Sequence, residues 1–165
     1  MRDNDTIAAI ATAHGRSAIG IIRISGPGVE DILHEHVPSI RPRNATLVNF
    51  CDGKHEKIDS VIMIYYKSPH SYTGEDLLEI QTHGNPIILG KILNTICAKY
   101  ARQARAGEFT ERAFLNNKID LLQAEATIDL INSSSIAAAN SAMKSLSGTY
   151  SKKVSEIKSD IIKTR

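Results

Sequence analysis

Apolar and polar positions along this chain follow two rhythms, one after the other. Up to about residue 117, short apolar runs alternate with turn signals. "TIAAIAT" and "SAIGIIRIS" predict strands, the second with apolar residues on both faces, and "GPGVEDILHEHV" predicts a short helix with Pro27 near its first turn. "VIMIYYK" and "LLEIQTH" predict further strands, and "NPIILGKILNTICAKY" predicts a helix with Pro86 at its first position. Together these predict an α+β domain over residues 1–117. From Ile119 the rhythm is helical only, opened by Asp120 with Gln123 three residues on, in the manner of a capping box. Further on, Ala139, Met143, Leu146, Tyr150, Val154, Ile157 and Ile161 recur at steps of four and three, the stripe of a helix that packs along another helix. Because this stripe runs almost to Arg165, residues 118–165 are expected to be the truncated first part of a larger helical domain.

One stretch breaks the economy of the strands. In "SYTGEDLLEIQTHGN" the alternation of a strand puts Leu78, Ile80 and Thr82 on one face and Glu79, Gln81 and His83 on the other. Such a row is either the wet outer face of a half-buried strand or the polar wall of a pocket. Arg23 bears on the choice. Its face of the "AIGIIRIS" strand also carries Ile19 and Ile21, and the opposite face carries Ile22 and Ile24, so its guanidinium is expected to emerge from a mostly buried strand. A buried arginine requires an anionic partner or ligand. Glu75 and Glu79 are the candidate partners, and either could share the arginine with a ligand.

Composition narrows the class without naming a chemistry. The 165 residues are 42% hydrophobic and 23% charged, with a net charge of +2, as in a globular domain without a strong electrostatic demand for nucleic acid. No run approaches the ~20 apolar residues of a membrane span, and "MRDNDTIAAIAT" lacks the pattern of a secretory signal, so a cytoplasmic location without membrane contact is expected. Cys51 and Cys97 lack CxxC spacing and read as reduced packing residues. His34 and His36, two apart on a predicted helix, point in different directions, and His14 and His70 sit in predicted loops, so no metal site is expected.

Five blocks in order, "DTIAAIAT", "AIGIIRISGP", "SYTGEDLLEIQTHG", "GEFTERAFLNNKIDLLQAEATIDLI" and "SAMKSLSG", resemble the N-terminal region of the MnmE/TrmE family of tRNA uridine-modification GTPases. The resemblance covers nearly the whole chain. It implies a folate-binding α+β domain similar to the tetrahydrofolate-binding part of aminomethyltransferases, followed by the first long helices of a central helical domain. It implies a reduced folate, 5-formyltetrahydrofolate or 5,10-methylenetetrahydrofolate, as one-carbon source for C5 of the wobble uridine of certain tRNAs. It also implies a homodimer and an FAD-dependent partner protein, MnmG/GidA. GTP, Mg and K belong to a GTPase domain outside these residues. No G-x-x-x-x-G-K-[ST] phosphate loop occurs here, so GTP hydrolysis is not expected of this chain.

By motif position, the family's folate contacts fall on Arg23, Glu79 and Lys118, with Glu75, Gln81 and His83 as pocket-lining candidates. The residue types suit the ligand. A carboxylate can accept from the ring N–H and exocyclic amine of a pterin, and cations suit the carbonyl oxygens and anionic glutamate tail. The family's catalytic nucleophile is not assigned to any residue here. The chain departs from the family pattern at "ATAHGRSAIG", at Asn85 after "HG", and at Ala106 before "GEF", all turn positions. Two alternatives stay open: a stand-alone folate-dependent aminomethyl- or formyltransferase, and a folate-free dimerisation domain.

Overall fold

A computed structural model describes residues 5–148 together with Val154, Ile157 and Ile162. Contacts divide the chain into two compact units, Met1–Phe109 and Thr110–Arg165. The first is built on a six-stranded sheet: β1 (Ile7–Ile10), β2 (Ile19–Ser25), β3 (Thr46–Cys51), β4 (Lys57–Tyr66), β5 (Leu77–His83) and β6 (Arg102–Gln103). Their order is β3-β4-β5-β2-β1-β6, antiparallel except for the short parallel pairing of β6 with β1.

Strand alternation sorts this sheet into two unlike faces. One carries Ala8, Ile22, Ile24, Val61, Met63, Leu78 and Ile80, all 0% exposed, under the helices α1 (Val29–His36) and α2 (Pro86–Lys99). Val29 and Ile32 of α1 and Leu89, Ile92 and Ile96 of α2 complete that core. Gly20 lets α2 come close, because a Cβ there would stand 2.7 Å from Leu89 Cδ1. Pro86 begins α2 as its spacing predicts, and Asn85 caps it by accepting from the Ile87 N–H at 2.9 Å. His36, at the end of α1, stacks on the Phe50 ring with centroids 4.5 Å apart, and burial pushes its pKa down.

The other face is more open than the sequence pattern suggests. Ile19 is 58% exposed and the Arg23 side chain 30%, so the strand bearing Arg23 is buried on one face only. Two strands were not anticipated: β3 and the two-residue β6. β4 begins at Lys57 rather than Val61.

Glu108, just inside α3 (Glu108–Leu115), is 2% exposed and accepts from both Arg102 Nη atoms, at 2.9 and 2.5 Å, and from the Arg105 N–H. Arg102 also donates from Nε to Asp5.

In the second unit, α4 (Leu121–Ile131) opens on the predicted capping box: Asp120 accepts from the Gln123 N–H, and Gln123 Oε1 accepts from the Asp120 N–H. After a break at residues 132–135, α5 (Ile136–Leu146) packs on α4, and Gln123 Nε2 donates to Leu146 O. The predicted stripe holds here only in part: Ala139 and Leu146 are half-buried, but Met143 departs from it. Ala142 is buried at 5%, whereas Met143 is 50% exposed. The buried position of α4 among the described residues is likewise a small one, Ala126. Of the rest of the stripe, Val154 and Ile157 are exposed, and Tyr150 and Ile161 lie outside the described residues. Among the described residues no helix is long and apolar enough to cross a membrane.

Candidate functional site

The open face of the sheet brings Arg23 and Glu79 together because β2 and β5 pair with those two residues in direct register. Arg23 donates from Nε at 3.0 Å and from Nη2 at 2.6 Å, both to Glu79 Oε1. Two donors converging on one oxygen is not the fork-to-fork pairing that uses both carboxylate oxygens. Glu79 Oε2 receives only the Tyr66 hydroxyl, at 3.5 Å, and Arg23 Nη1 makes no hydrogen bond among the described residues. The pair therefore keeps an acceptor and a donor in hand. Its side chains are 30% and 15% exposed, so it borders solvent rather than lying in the core.

Aromatic rings flank this pair. The Arg23 guanidinium carbon lies 5.5 Å from the centroid of the Tyr72 ring, and Arg43 stands in the same relation to Tyr66. Burial, and then the Glu79 charge, push the Tyr66 hydroxyl's pKa up, so it remains a hydrogen-bond donor. The "SYTGED" turn is tied down from several sides. Ser25 Oγ contacts both Thr73 Oγ1, at 2.7 Å, and Glu75 Oε2, at 2.8 Å. Asp76 Oδ1 accepts from the Tyr65 hydroxyl and the Ser68 N–H. Of the two carboxylates considered as partners of Arg23, Glu79 takes the arginine and Glu75 accepts from Ser25.

Gln81 and His83 continue along the same face of β5. Gln81 is half-buried between Ile21 of β2 and Ile62 of β4. His83, its side chain 72% exposed, directs Nδ1 at Asp59, 2.9 Å from each carboxylate oxygen. Asp59 also accepts from the Thr82 hydroxyl at 2.5 Å, the His83 N–H at 3.0 Å and the Ser60 N–H at 2.8 Å. Burial opposes ionisation of Asp59, but these hydrogen bonds outweigh it and hold its pKa at about 2. Beside His83, Gly84 admits no side chain: a Cβ would meet the Ser17 carbonyl oxygen at 2.5 Å.

Lys118 belongs to the second unit, where it follows Asn117 with φ 56° and bonds through its N–H to Ala113 O. It is exposed and lines a cavity of about 510 Å³ with Phe114, Leu115, Asn117, Ile119, Asp120 and Gln123.

Sequence reasoning missed Tyr66, Tyr72, Arg43 and Asp59. The two tyrosines read as ordinary strand and turn aromatics. Asp59 offered a usable signal, a lone carboxylate at a position whose neighbours two and four residues on, Val61 and Met63, are core.

Comparison with known proteins was made on sequence. The family model for the GTP-binding protein TrmE N-terminus matches residues 6–118. The chain is 49% identical over 164 residues to the tRNA modification GTPase MnmE of Legionella pneumophila strain Corby, covering 98% of this chain and 36% of the relative. It is 49% identical over 162 residues to the protein of that name from Coxiella burnetii strain Dugway 5J108-111, again covering 98% and 36%. With that of Francisella tularensis subsp. holarctica it shares 51% over 166 residues, covering 100% and 37%. The chain thus spans about a third of the length of the curated relatives it matches.

Proposed function

The chain belongs to the TrmE N-terminal family of tRNA modification GTPases, and on that premise we propose that it binds a reduced folate on the open face of its sheet, at Arg23 and Glu79. The observation that carries this reading is the lopsided ion pair. Glu79 Oε2 and Arg23 Nη1 keep hydrogen-bonding capacity at a solvent border beside two tyrosine rings. The residues fit the group: a pterin edge offers N–H donors to Oε2, and its carbonyl offers an acceptor to the guanidinium. When bound, the folate, as the 5-formyl or 5,10-methylene form, supplies the one-carbon unit. The residues hold and orient it. Arg23 fixes the Glu79 carboxylate, Tyr66 and Tyr72 give apolar ring surface, and Lys118 is assigned a folate contact on its motif position alone.

The wider proposal follows the family. Residues 1–117 form a folate-binding and dimerisation domain similar to that of aminomethyltransferases, and residues 118–165 begin a central helical domain. The homodimer acts with the FAD-dependent protein MnmG on C5 of a tRNA wobble uridine, in the cytoplasm. Titration calorimetry with 5-formyltetrahydrofolate tests the core claim. Saturable heat and thermal stabilisation are the expected results, and folded protein showing neither at saturating ligand overturns it.

A further inference from the structure

Arg43 occupies a position whose backbone does not call for an arginine. Residues 41–44 form a turn closed by the Asn44 N–H on Arg41 O at 3.2 Å, with Pro42 followed by Arg43 at φ 63°. Glycine or asparagine is the usual occupant of such a position, so a long side chain there is held against some backbone strain. It is nevertheless well oriented. Nη2 donates to His70 O at 2.7 Å, and the guanidinium carbon lies 5.5 Å from the centroid of the Tyr66 ring. Nε and Nη1 make no hydrogen bond among the described residues, and Arg43 enters no ion pair among them. Nη2 carries two hydrogens and the His70 carbonyl takes one, so one two-point edge of the exposed guanidinium stays open.

Tyr66 ties this cation to the open face of the sheet. Strand register sets Ile64 opposite Glu79, so Tyr66, two residues on, shares the face of Glu79. Its hydroxyl lies 3.5 Å from Glu79 Oε2, and its ring carries the Arg43 guanidinium. A single tyrosine side chain thus spans the gap between the acceptor assigned to the pterin and a second arginine. Arg23 is already balanced by Glu79, whereas Arg43 brings an uncompensated charge. A reduced folate joins its pterin through an aminobenzoyl ring to a glutamate, whose carboxylates are the partners that a guanidinium edge pairs with best.

Resting on the folate reading above, we propose that Arg43 binds a glutamyl carboxylate of the folate through its open guanidinium edge, so that the tail leaves Glu79 by way of Tyr66. The gap bridged by Tyr66 is shorter than an extended folate, so the ligand bends at the methylene that joins pterin to aminobenzoyl ring. Arg43 then sets specificity: Glu79 recognises any pterin edge, and Arg43 favours pterins that carry a glutamate.

The test titrates the 165-residue chain, Arg43→Gln and Arg41→Gln with 5-formyltetrahydrofolate and with 6-methyltetrahydropterin, which has the pterin edge and no glutamate. Arg43→Gln should lower the folate affinity about tenfold and leave that of the short pterin within about twofold. Arg41→Gln, which removes a neighbouring exposed arginine, should change neither. Raising the salt from about 0.1 M to about 1 M should weaken folate binding by the unaltered chain more than by Arg43→Gln. An equal loss for both ligands would reduce Arg43 to a support of Tyr66 and the turn, and overturns the inference. So does a folate affinity and salt dependence unchanged in Arg43→Gln. Either result leaves the folate reading intact, whereas failure of both ligands to bind the folded, unaltered chain overturns both.

Discussion

Glu79 holds Arg23 through Oε1 and is proposed to hold the ligand through Oε2, and its substitution separates the two. In Glu79→Gln one oxygen becomes an N–H₂ donor facing the ligand's own donors, so affinity for 5-formyltetrahydrofolate should fall tenfold or more. Loss of the partly solvated ion pair should cost only about 1 kcal/mol, leaving the fold intact by circular dichroism. Equal affinity of the two proteins would return Glu79 to a purely structural bridge. Asp59 and Glu108 predict the acid limb of stability. Both carboxyls are held down to about 2, from ordinary values of 3.8 and 4.5. Hydrogen bonds from Arg102 are the main cause for Glu108; for Asp59, burial is outweighed by the Thr82, His83 and Ser60 donors. A depressed folded-state value means stabilisation that is complete above the unfolded value and is lost as pH falls through the folded one. Urea midpoints should therefore decline from about pH 5 to about pH 2, and the decline should be shallower in Asp59→Asn.

Among the elements, β5 and α2 were legible from the sequence because each carries a strong local signal: strict alternation in one, a proline at the first helical position in the other. β3 and β6 were not. "TLVNFC" pairs only at the sheet edge, and β6 is two residues whose pairing depends on β1, far away in the chain. On α5 the stripe was misread at Met143, which is exposed while the smaller Ala142 beside it is buried. Site residues followed the same division. Arg23 and Glu79 were legible from strand alternation and again from motif positions, whereas the hydrogen bonds that Asp59 makes to β5 depend on how the strands pair. Asn85, one of the departures from the family pattern, has a measurable role as the cap of α2. Asn85→Ala should lower stability by about 1 kcal/mol and Asn85→Gly by only a few tenths, measured by thermal unfolding. Equal losses would mean that the cap hydrogen bond contributes nothing.

At the scale of the molecule, the sheet is insulated on one face by α1 and α2 and carries exposed Ile19, Leu47 and Ile62 on the other, around the polar cluster. Apolar side chains beside the proposed folate patch suit the proposed homodimer through the first unit. Residues 1–117 alone, which lack α4 and α5, should then sediment as a dimer. A monomer there, beside a dimeric 165-residue chain, would assign association to the helices.

The two-residue beat of β5 makes the proposed binding and the fold hostage to a single reading frame. Leu78, Ile80 and Thr82 face the core on the same beat that turns Glu79, Gln81 and His83 outward. Inserting or deleting one residue within the strand would exchange the two sets, burying a carboxylate and an imidazole and exposing two large aliphatics. Substitutions can tune this site one side chain at a time, but changes of length cannot, so variation in strand length has to be absorbed in the turns on either side.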